Sequence, residues 1–185
     1  MRIVIFGPPG AGKGTQAQHI AGHYKVPHIS TGDIFRQNIR EATPLGLEAK
    51  RYSDAGDLVP DALTNAMVKQ RISAEDCRNG FLLDGYPRTV AQADELAGML
   101  EETNSSLTVV INLIVPDAEL IERLGKRGRA DDTIETIGNR LKVYHESTKP
   151  LIGYYRTAGL LSDVEGVGSI EAISHNIISV IDGRR

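Results

Sequence analysis

Nine residues near the start of the chain, Gly7-Pro8-Pro9-Gly10-Ala11-Gly12-Lys13-Gly14-Thr15, combine the residue types that hold phosphate. Glycines let backbone N–H groups converge on anionic oxygens without a Cβ in the way, and a following helix adds the positive end of its dipole. In such a loop Gly10, Ala11, Gly12, Lys13, Gly14 and Thr15 wrap the phosphates. Lys13 reaches the terminal ones, and the Thr15 hydroxyl stands near a bound Mg²⁺. The flanks give the right context. Ile3-Val4-Ile5-Phe6 reads as a short buried strand, and Ala17, Ile20, Ala21 and Tyr24 recur at helical spacing. The general pattern G-x-x-x-x-G-K-[S/T] puts Ser or Thr directly after Lys, whereas here Gly14 intervenes and Thr15 follows. The alternative, a chance lysine in a glycine-rich turn, does not explain why strand, loop spacing, lysine and helix all agree. Nucleotide phosphate binding is the expectation.

Further along, Gly80-Phe81-Leu82-Leu83-Asp84-Gly85 is an apolar strand ending in a carboxylate. Beside a phosphate loop, a strand-terminal aspartate orients Mg²⁺ or its waters; elsewhere it serves as a turn or cap residue. Arg123, Lys126, Arg127 and Arg129 cluster together, and Arg140 follows on the next helix. Arginine remains charged and binds phosphate through two N–H groups, so arginines in separated loops suit two phosphate chains held end to end. Pushing one nucleotide's terminal phosphate toward a second phosphate forces like charges together, which arginines and Mg²⁺ offset. A phosphate acceptor needs no general base, and no His-Arg-Asp catalytic loop is present. A solvated basic loop is the plain alternative for the cluster. His19 and His23, four apart with no third ligand nearby, read as a solvated helix face, and no histidine or zinc site is supported.

At 185 residues and net charge −3 the chain fits one domain and has no general affinity for nucleic acid or anionic membranes. The lone cysteine, Cys77, rules out an internal disulfide and points to a cytoplasmic setting. The loop at Gly7 leaves no space for a signal peptide, and no apolar run approaches membrane-spanning length.

The elements that position these residues alternate. Val26–Ser30 reads as a second strand, ending at Thr31-Gly32-Asp33, which caps a helix near Ile34; capping alone would account for Thr31 and Asp33. Helical pieces over 34–41 and 45–55 are broken at Thr43-Pro44 and stopped by Gly56. Asp61 is expected to cap the next helix, and Thr89 with Gln92 makes a capping box, which gives Gln92 a plain role. Leu107–Val115 is the central strand. Asp132 with Glu135 is a second capping box, and Pro150 should break the helix that follows. Leu160–Val164 is the last strand, and Ser169 caps a closing helix carrying Ile170, Ile173, Ile177 and Ile181. Strands alternating with helices predict a three-layer α/β fold around a parallel sheet.

Taken together, the motifs resemble the adenylate kinase family over essentially the whole chain. The phosphate loop, including Gly14, is similar to the family's own. Ser30-Thr31-Gly32-Asp33, Gly56-Asp57-Leu58-Val59-Pro60 and Asp84-Gly85-Tyr86-Pro87-Arg88 with Gln92 resemble its monophosphate-binding segments, and Arg129-Ala130-Asp131-Asp132 with Arg140 the end of its lid. The resemblance implies a P-loop fold with a central five-stranded parallel sheet. It divides the chain into a core (1–29, 60–125 and 137–185), an AMP-binding insert (30–59) and a short lid (126–136). It implies transfer from MgATP to AMP giving two ADP, with no nucleic acid or membrane partner, by a cytoplasmic monomer.

By that resemblance Gly10 to Thr15, Arg123, Arg127 and Gly168 hold ATP. Thr31, Arg36, Asp57, Leu58, Val59, Gly85, Tyr86, Pro87, Arg88, Gln92, Arg129 and Arg140 hold AMP, with Gln92 on the adenine. Lys13, Arg88, Arg127, Arg129 and Arg140 serve transfer, and Asp84 orders waters on Mg²⁺. Between Arg127 and Arg140 there is no space for the long-lid members' β-hairpin, and no zinc-type cysteines occur there. Two alternatives are a kinase for UMP, CMP or dTMP and a non-catalytic nucleotide-binding module. Thr31 with Gln92 favours adenine, and Lys13, Asp84 and the lid arginines favour catalysis. No Asn-Lys-x-Asp guanine-reading motif supports a GTPase.

Overall fold

The computed structural model describes residues 1–128 and 133–184, together with the backbone course of each helix and strand within them. Five strands, β1 (Arg2–Phe6), β2 (His28–Ser30), β3 (Phe81–Asp84), β4 (Val109–Ile114) and β5 (Leu161–Glu165), form one sheet in the order β2-β3-β1-β4-β5. All four pairings are parallel; Ile3 lies opposite Leu82 on one side and Val109 on the other. The strands are short and apolar because both faces are covered.

Alternation along β1 sorts its side chains between two layers. Ile3 and Ile5 pack with Ala17, Ile20, Ile173 and Ile177 on one face, and Val4 and Phe6 with Val68, Leu96, Leu151 and Tyr155 on the other. The first layer is built by α1 (Lys13–Tyr24), α6 (Asp117–Arg127) and α9 (Ile170–Asp182). The second is built by α4 (Asp61–Ile72), α5 (Val90–Glu101) and α8 (Leu151–Thr157). Each fully buried Ile or Leu contributes about 1.5–3 kcal/mol relative to an exposed one, so the sheet is a firm base for the loops at its carboxyl edge.

Two helices, α2 (Thr31–Arg40) and α3 (Pro44–Ala55), pack chiefly on each other, with Ile34 of α2 reaching the second layer. They approach so closely at Gly46 that a Cβ there would lie 2.0 Å from the Asn38 carbonyl oxygen. Helix α7 (Ile134–Val143) follows α6 after residues 128–133 and runs into a π-helical turn over Tyr144–Thr148. Pro150 then separates that turn from α8, as its missing N–H requires.

Several local expectations are corrected. Helix α2 begins at Thr31, and its cap is Ser30, whose Oγ accepts from the Asp33 N–H at 3.2 Å. Asp61 is the first residue of α4 and caps nothing, since Pro60 occupies the cap position. Thr133 caps α7, its Oγ1 accepting from the Thr136 N–H at 3.1 Å, where the Asp132–Glu135 pattern was expected; Asp132 itself lies outside the described residues. Strand β2 is shorter than Val26–Ser30, because Val26 N–H closes the end of α1 on the Ala21 carbonyl and Pro27 has no N–H to give.

Candidate active site

Above the carboxyl ends of β1, β2 and β3 lies a cleft of about 600 Å³. Parallel sheets place ligands at this edge, where connecting loops diverge. The loop from Gly7 to Gly12 forms one wall. Gly7, Gly10 and Gly12 have φ of 147°, 86° and 87°, a left-handed region that strains any other residue. At Gly7 a Cβ would also meet the Leu113 carbonyl oxygen at 2.8 Å, and at Gly10 the Leu124 side chain at 3.0 Å. The loop is therefore wedged against β4 and α6. Helix α1 starts at Lys13 with a glycine cap that has no side chain to meet its first N–H groups, which suits it to an anion. The Lys13 ammonium donates to the Gly7 and Pro8 carbonyls, both at 2.9 Å, and so lies folded over the loop.

Asp84 ends β3 beneath the loop, 9% exposed, its carboxylate 3.5 Å from where a Cβ on Gly14 would be. His28 Nε2 lies 3.6 Å from Asp84 Oδ2 and is buried without a hydrogen-bond partner. Among the described residues no group of three or more His, Cys, Asp or Glu is placed to hold a metal by itself. Oxygen donors at Asp84 and Thr15 beside a phosphate loop are hard ligands of the kind Mg²⁺ takes together with substrate phosphates.

Facing the loop is a wall assembled from distant segments. The Thr31 hydroxyl donates to the Gly85 carbonyl at 2.9 Å, and Arg88 Nε donates to the same oxygen at 2.9 Å. Gly85 has φ 81°, and a Cβ there would lie 2.9 Å from Thr31 Oγ1, so this approach needs glycine. The Thr148 hydroxyl donates to the Arg88 carbonyl at 3.0 Å and ties the π-helical turn to it. Arg88 opens into the cleft yet is hemmed in by protein. That crowding, and then the like charges of Arg140 and Arg36, lower its pKa from the usual guanidinium value, with Asp84 opposing. It remains a cation, as arginine does in proteins. Arg36, bonded to Asp33, and Arg140 line the same cleft.

Asp57, Leu58 and Val59 continue this wall. Asn139 on α7 donates to the Ala55 carbonyl at 2.7 Å and to Asp57 Oδ1 at 2.8 Å, holding that stretch against α7. Gly85, Pro87 and Gln92 line the cleft, but Tyr86 does not. Its ring is 1% exposed, and its hydroxyl donates to Asn65 Oδ1 at 2.8 Å and to the Gln92 carbonyl at 3.2 Å. Burial first, then Glu95 and Asp61, raises the pKa of that phenol.

Arg123 reaches the cleft from α6. It donates through Nε to Glu119 at 2.8 Å and through Nη1 to the Gly166 carbonyl at 3.0 Å, linking α6 to the turn before α9. Gly168 lies in that turn at φ 130°, and neither it nor Ala11, which is buried within the loop, lines the cleft. Arg127 is the last residue of α6, and its side chain, like all of Arg129, lies outside the described structure. His19 and His23 are exposed on α1.

Some residues that build the site were missed by sequence reasoning. Asn139 and Thr148 belong to no local motif, and only packing brings α7 and its π-helical turn to the cleft. The Thr89–Gln92 capping box is half formed: Thr89 Oγ1 accepts from the Gln92 N–H at 3.1 Å, but the Gln92 side chain turns to the Arg88 N–H at 2.7 Å.

Comparison over the whole chain finds one family. The family described as adenylate kinase matches residues 5–160. A protein named adenylate kinase from a Mycobacterium species is 58% identical over 173 residues, covering 94% of each chain. Another of that name from a Nocardioides species is 53% identical over 186 residues, covering 98% of this chain and 97% of the relative. A third, from Thermobifida fusca, is 49% identical over 188 residues and covers both chains in full.

Proposed function

The chain belongs to the adenylate kinase family and is a phosphotransferase acting on adenine nucleotides, and from that premise we propose how its cleft moves a phosphoryl group from ATP to AMP. The observation that carries the proposal is the meeting of Lys13 and Thr15 with Arg36, Arg88, Arg123 and Arg140 in one cavity. The glycine loop and the start of α1 receive the ATP phosphates on backbone N–H groups. Lys13 leaves its carbonyl partners and follows the transferred phosphoryl group, offsetting charge that builds on its oxygens. Arg36 and Arg88 hold the AMP phosphate, and Arg140 with Arg123 bridges toward the donor. No side chain need remove a proton, because the acceptor is already an anion. The task is to align the acceptor oxygen with the transferring phosphorus and to screen the repulsion between phosphates.

Asp84 and Thr15 would hold Mg²⁺ through its waters and hydroxyl contact; when bound, the ion neutralises charge on the phosphates. AMP binding is assigned to Thr31, Asp57–Val59, Gly85–Arg88 and Gln92, with Tyr86 acting from behind by fixing Gln92. Arg127 and Arg129 are assigned to the donor and acceptor phosphates across the short lid, 126–136, with 30–59 as the acceptor insert. The backbone at Gly168 is assigned to the ATP base. A monomer is assigned on the family resemblance alone. Buried, unpaired Cys77 supports a cytoplasmic setting, and among the described residues no helix is long and apolar enough to cross a membrane.

The direct test is ADP formation from MgATP with AMP, CMP, UMP or dTMP as separate acceptors. Strong turnover with AMP above the pyrimidines is expected. Preference for another monophosphate would overturn the assignment of the base to Thr31 and Gln92, and ATP binding without transfer to any acceptor would overturn the catalytic roles.

A further inference from the structure

Asp61 opens α4, yet both oxygens of its carboxylate are directed to the start of α5. Oδ2 accepts from the Thr89 hydroxyl at 2.9 Å and Oδ1 accepts from Gln92 Nε2 at 2.6 Å. At its other end the Gln92 amide accepts, through Oε1, from the Arg88 backbone N–H at 2.7 Å. Gln92 is only 2% exposed, and what it does expose forms part of the cleft wall.

A primary amide has two ends of nearly equal size and opposite hydrogen-bonding character, and a glutamine free to turn over can offer a ligand either one. Gln92 lacks that freedom. A carboxylate accepts and a backbone N–H donates, so exchanging the amide's oxygen and nitrogen would set oxygen against oxygen at Asp61 and N–H against N–H at Arg88. Both contacts would fail together at a nearly buried site, where unmet polar groups cost most. The two anchors occupy one of the Nε2 protons and one of the Oε1 acceptor positions. One N–H and one lone pair remain, in a fixed order.

We infer that Asp61, acting through Gln92, is a positioning residue that sets base specificity. It fixes the polarity of the amide facing the acceptor's base, so that the cleft takes an edge with a ring-nitrogen acceptor beside an exocyclic amino donor and rejects the reversed order. The inference rests on the proposed placement of the acceptor base against Gln92. Adenine carries the accepted order at N1 and its 6-amino group. Hypoxanthine has the same rings but carries N1–H beside a 6-oxo group, so every hydrogen bond offered by a fixed amide becomes a repulsion. Shape is constant between the two, and only polarity differs.

The test is steady-state transfer from MgATP to AMP and to IMP by the wild-type protein and by Asp61→Asn. Asparagine can turn either an oxygen or an N–H toward Gln92 and so stops dictating its orientation. In the wild type, kcat/KM for AMP should exceed that for IMP by at least about 10³-fold, as sites built around a specific hydrogen-bond pattern do. Asp61→Asn should narrow that ratio by about 10- to 100-fold, the worth of one hydrogen bond to a charged group. The loss should fall on KM for AMP, with KM for MgATP unchanged. Equal losses with AMP and IMP, or an unchanged ratio, would reduce Asp61 to a structural residue and overturn the inference. Wild-type protein that treats AMP and IMP alike would overturn it without any variant, which keeps the test open should Asp61→Asn fold poorly. Transfer only to pyrimidine monophosphates, or an unchanged KM for AMP in Gln92→Ala, would instead remove the base from Gln92, and the inference would fall with that placement.

Discussion

The two walls of the cleft are built on different principles. The wall proposed for the donor (the donor wall) is a single stretch, Gly7 to Thr15, made largely of backbone. Its shape is set by three glycines with positive φ and by the start of α1, wedged against Leu113 and Leu124. The wall proposed for the acceptor (the acceptor wall) is made of side chains drawn from α2, the α3–α4 link, the β3–α5 turn, α7 and the π-helical turn. Its groups hold one another: Thr31 and Arg88 share the Gly85 carbonyl, Thr148 holds Arg88, Asp61 holds Gln92, and Asn139 holds Asp57. A backbone wall grips what all nucleotides share, their phosphates. A side-chain wall can choose, because each hydrogen bond has a direction. Damage to the donor wall should therefore abolish transfer, while damage to the acceptor wall should mostly change which acceptor is used and how well.

The largest effect should come from the one long side chain that the donor loop adds to its backbone. Lys13→Ala should lower kcat by about 10²–10³-fold or more, as loss of a donor to developing charge does. Its melting temperature should remain close to wild type, since Lys13 donates to carbonyls at the loop's rim and its side chain is not part of the buried core. Near-normal turnover would mean the backbone alone suffices, and the contrast between the walls would lose its catalytic half.

Arg88→Ala carries the comparison to the other wall. Turnover with AMP should fall by about 10²-fold or more if the guanidinium serves the reacting phosphates as proposed. KM for MgATP should change by less than about 3-fold, since the glycine loop is untouched. An equal rise in both KM values would show the walls to be one coupled unit.

The same division decides what could be read in the chain. The donor wall was legible because its determinants are adjacent: strand, glycines, lysine and helix follow one another, and each imposes a local rule. The parallel α/β fold was legible for a similar reason, since Ile3-Val4-Ile5-Phe6 and Leu107–Val115 are largely apolar runs between amphipathic helices, while the count of five strands came from the family resemblance. The acceptor residues were named from the family resemblance, but their partners were not. Asp61 looked like a helix cap and proved to be a clamp on Gln92, because the residue it serves lies on another helix. Thr133 took the cap expected of Asp132, both being good caps one residue apart. Asn139 and Thr148 carry no local signal at all. Hydrogen bonds between distant segments depend on packing, which spacing along a chain does not encode.

A milder cut distinguishes holding from reacting. Thr31→Val removes one hydroxyl of nearly the same shape and leaves Arg88 Nε on the Gly85 carbonyl. The lost bond is worth about 1 kcal/mol, so KM for AMP should rise about 5-fold while kcat and KM for MgATP are unchanged. A fall in kcat as large as that of Arg88→Ala would make the hydroxyl part of the reacting apparatus and blur the line between acceptor hold and chemistry.

The smallest effect concerns the turn beneath the acceptor wall. Tyr144 is nearly buried at the cleft, and burial, followed by the charges of Asp117 and Asp163, pushes its pKa up to about 12 from 10. Tyr86 and Tyr155 are raised as well, chiefly by burial. In the unfolded chain these phenols lose their protons near pH 10, whereas the folded chain retains them. Above pH 10 the unfolded state therefore binds fewer protons, and stability declines as pH rises toward 12; below pH 10 all are protonated in both states and the contribution is constant. Thermal melts should thus be insensitive to these groups at neutral pH and lose stability on the alkaline side. Tyr144→Phe should flatten that alkaline slope in part, since Tyr86 and Tyr155 remain, and comparing the two slopes cancels the lysines that titrate in the same range. Identical slopes would mean that Tyr144 ionises in the folded cleft as readily as in water, so that the π-helical turn seals the acceptor wall from solvent less tightly than the sheet seals the glycine loop.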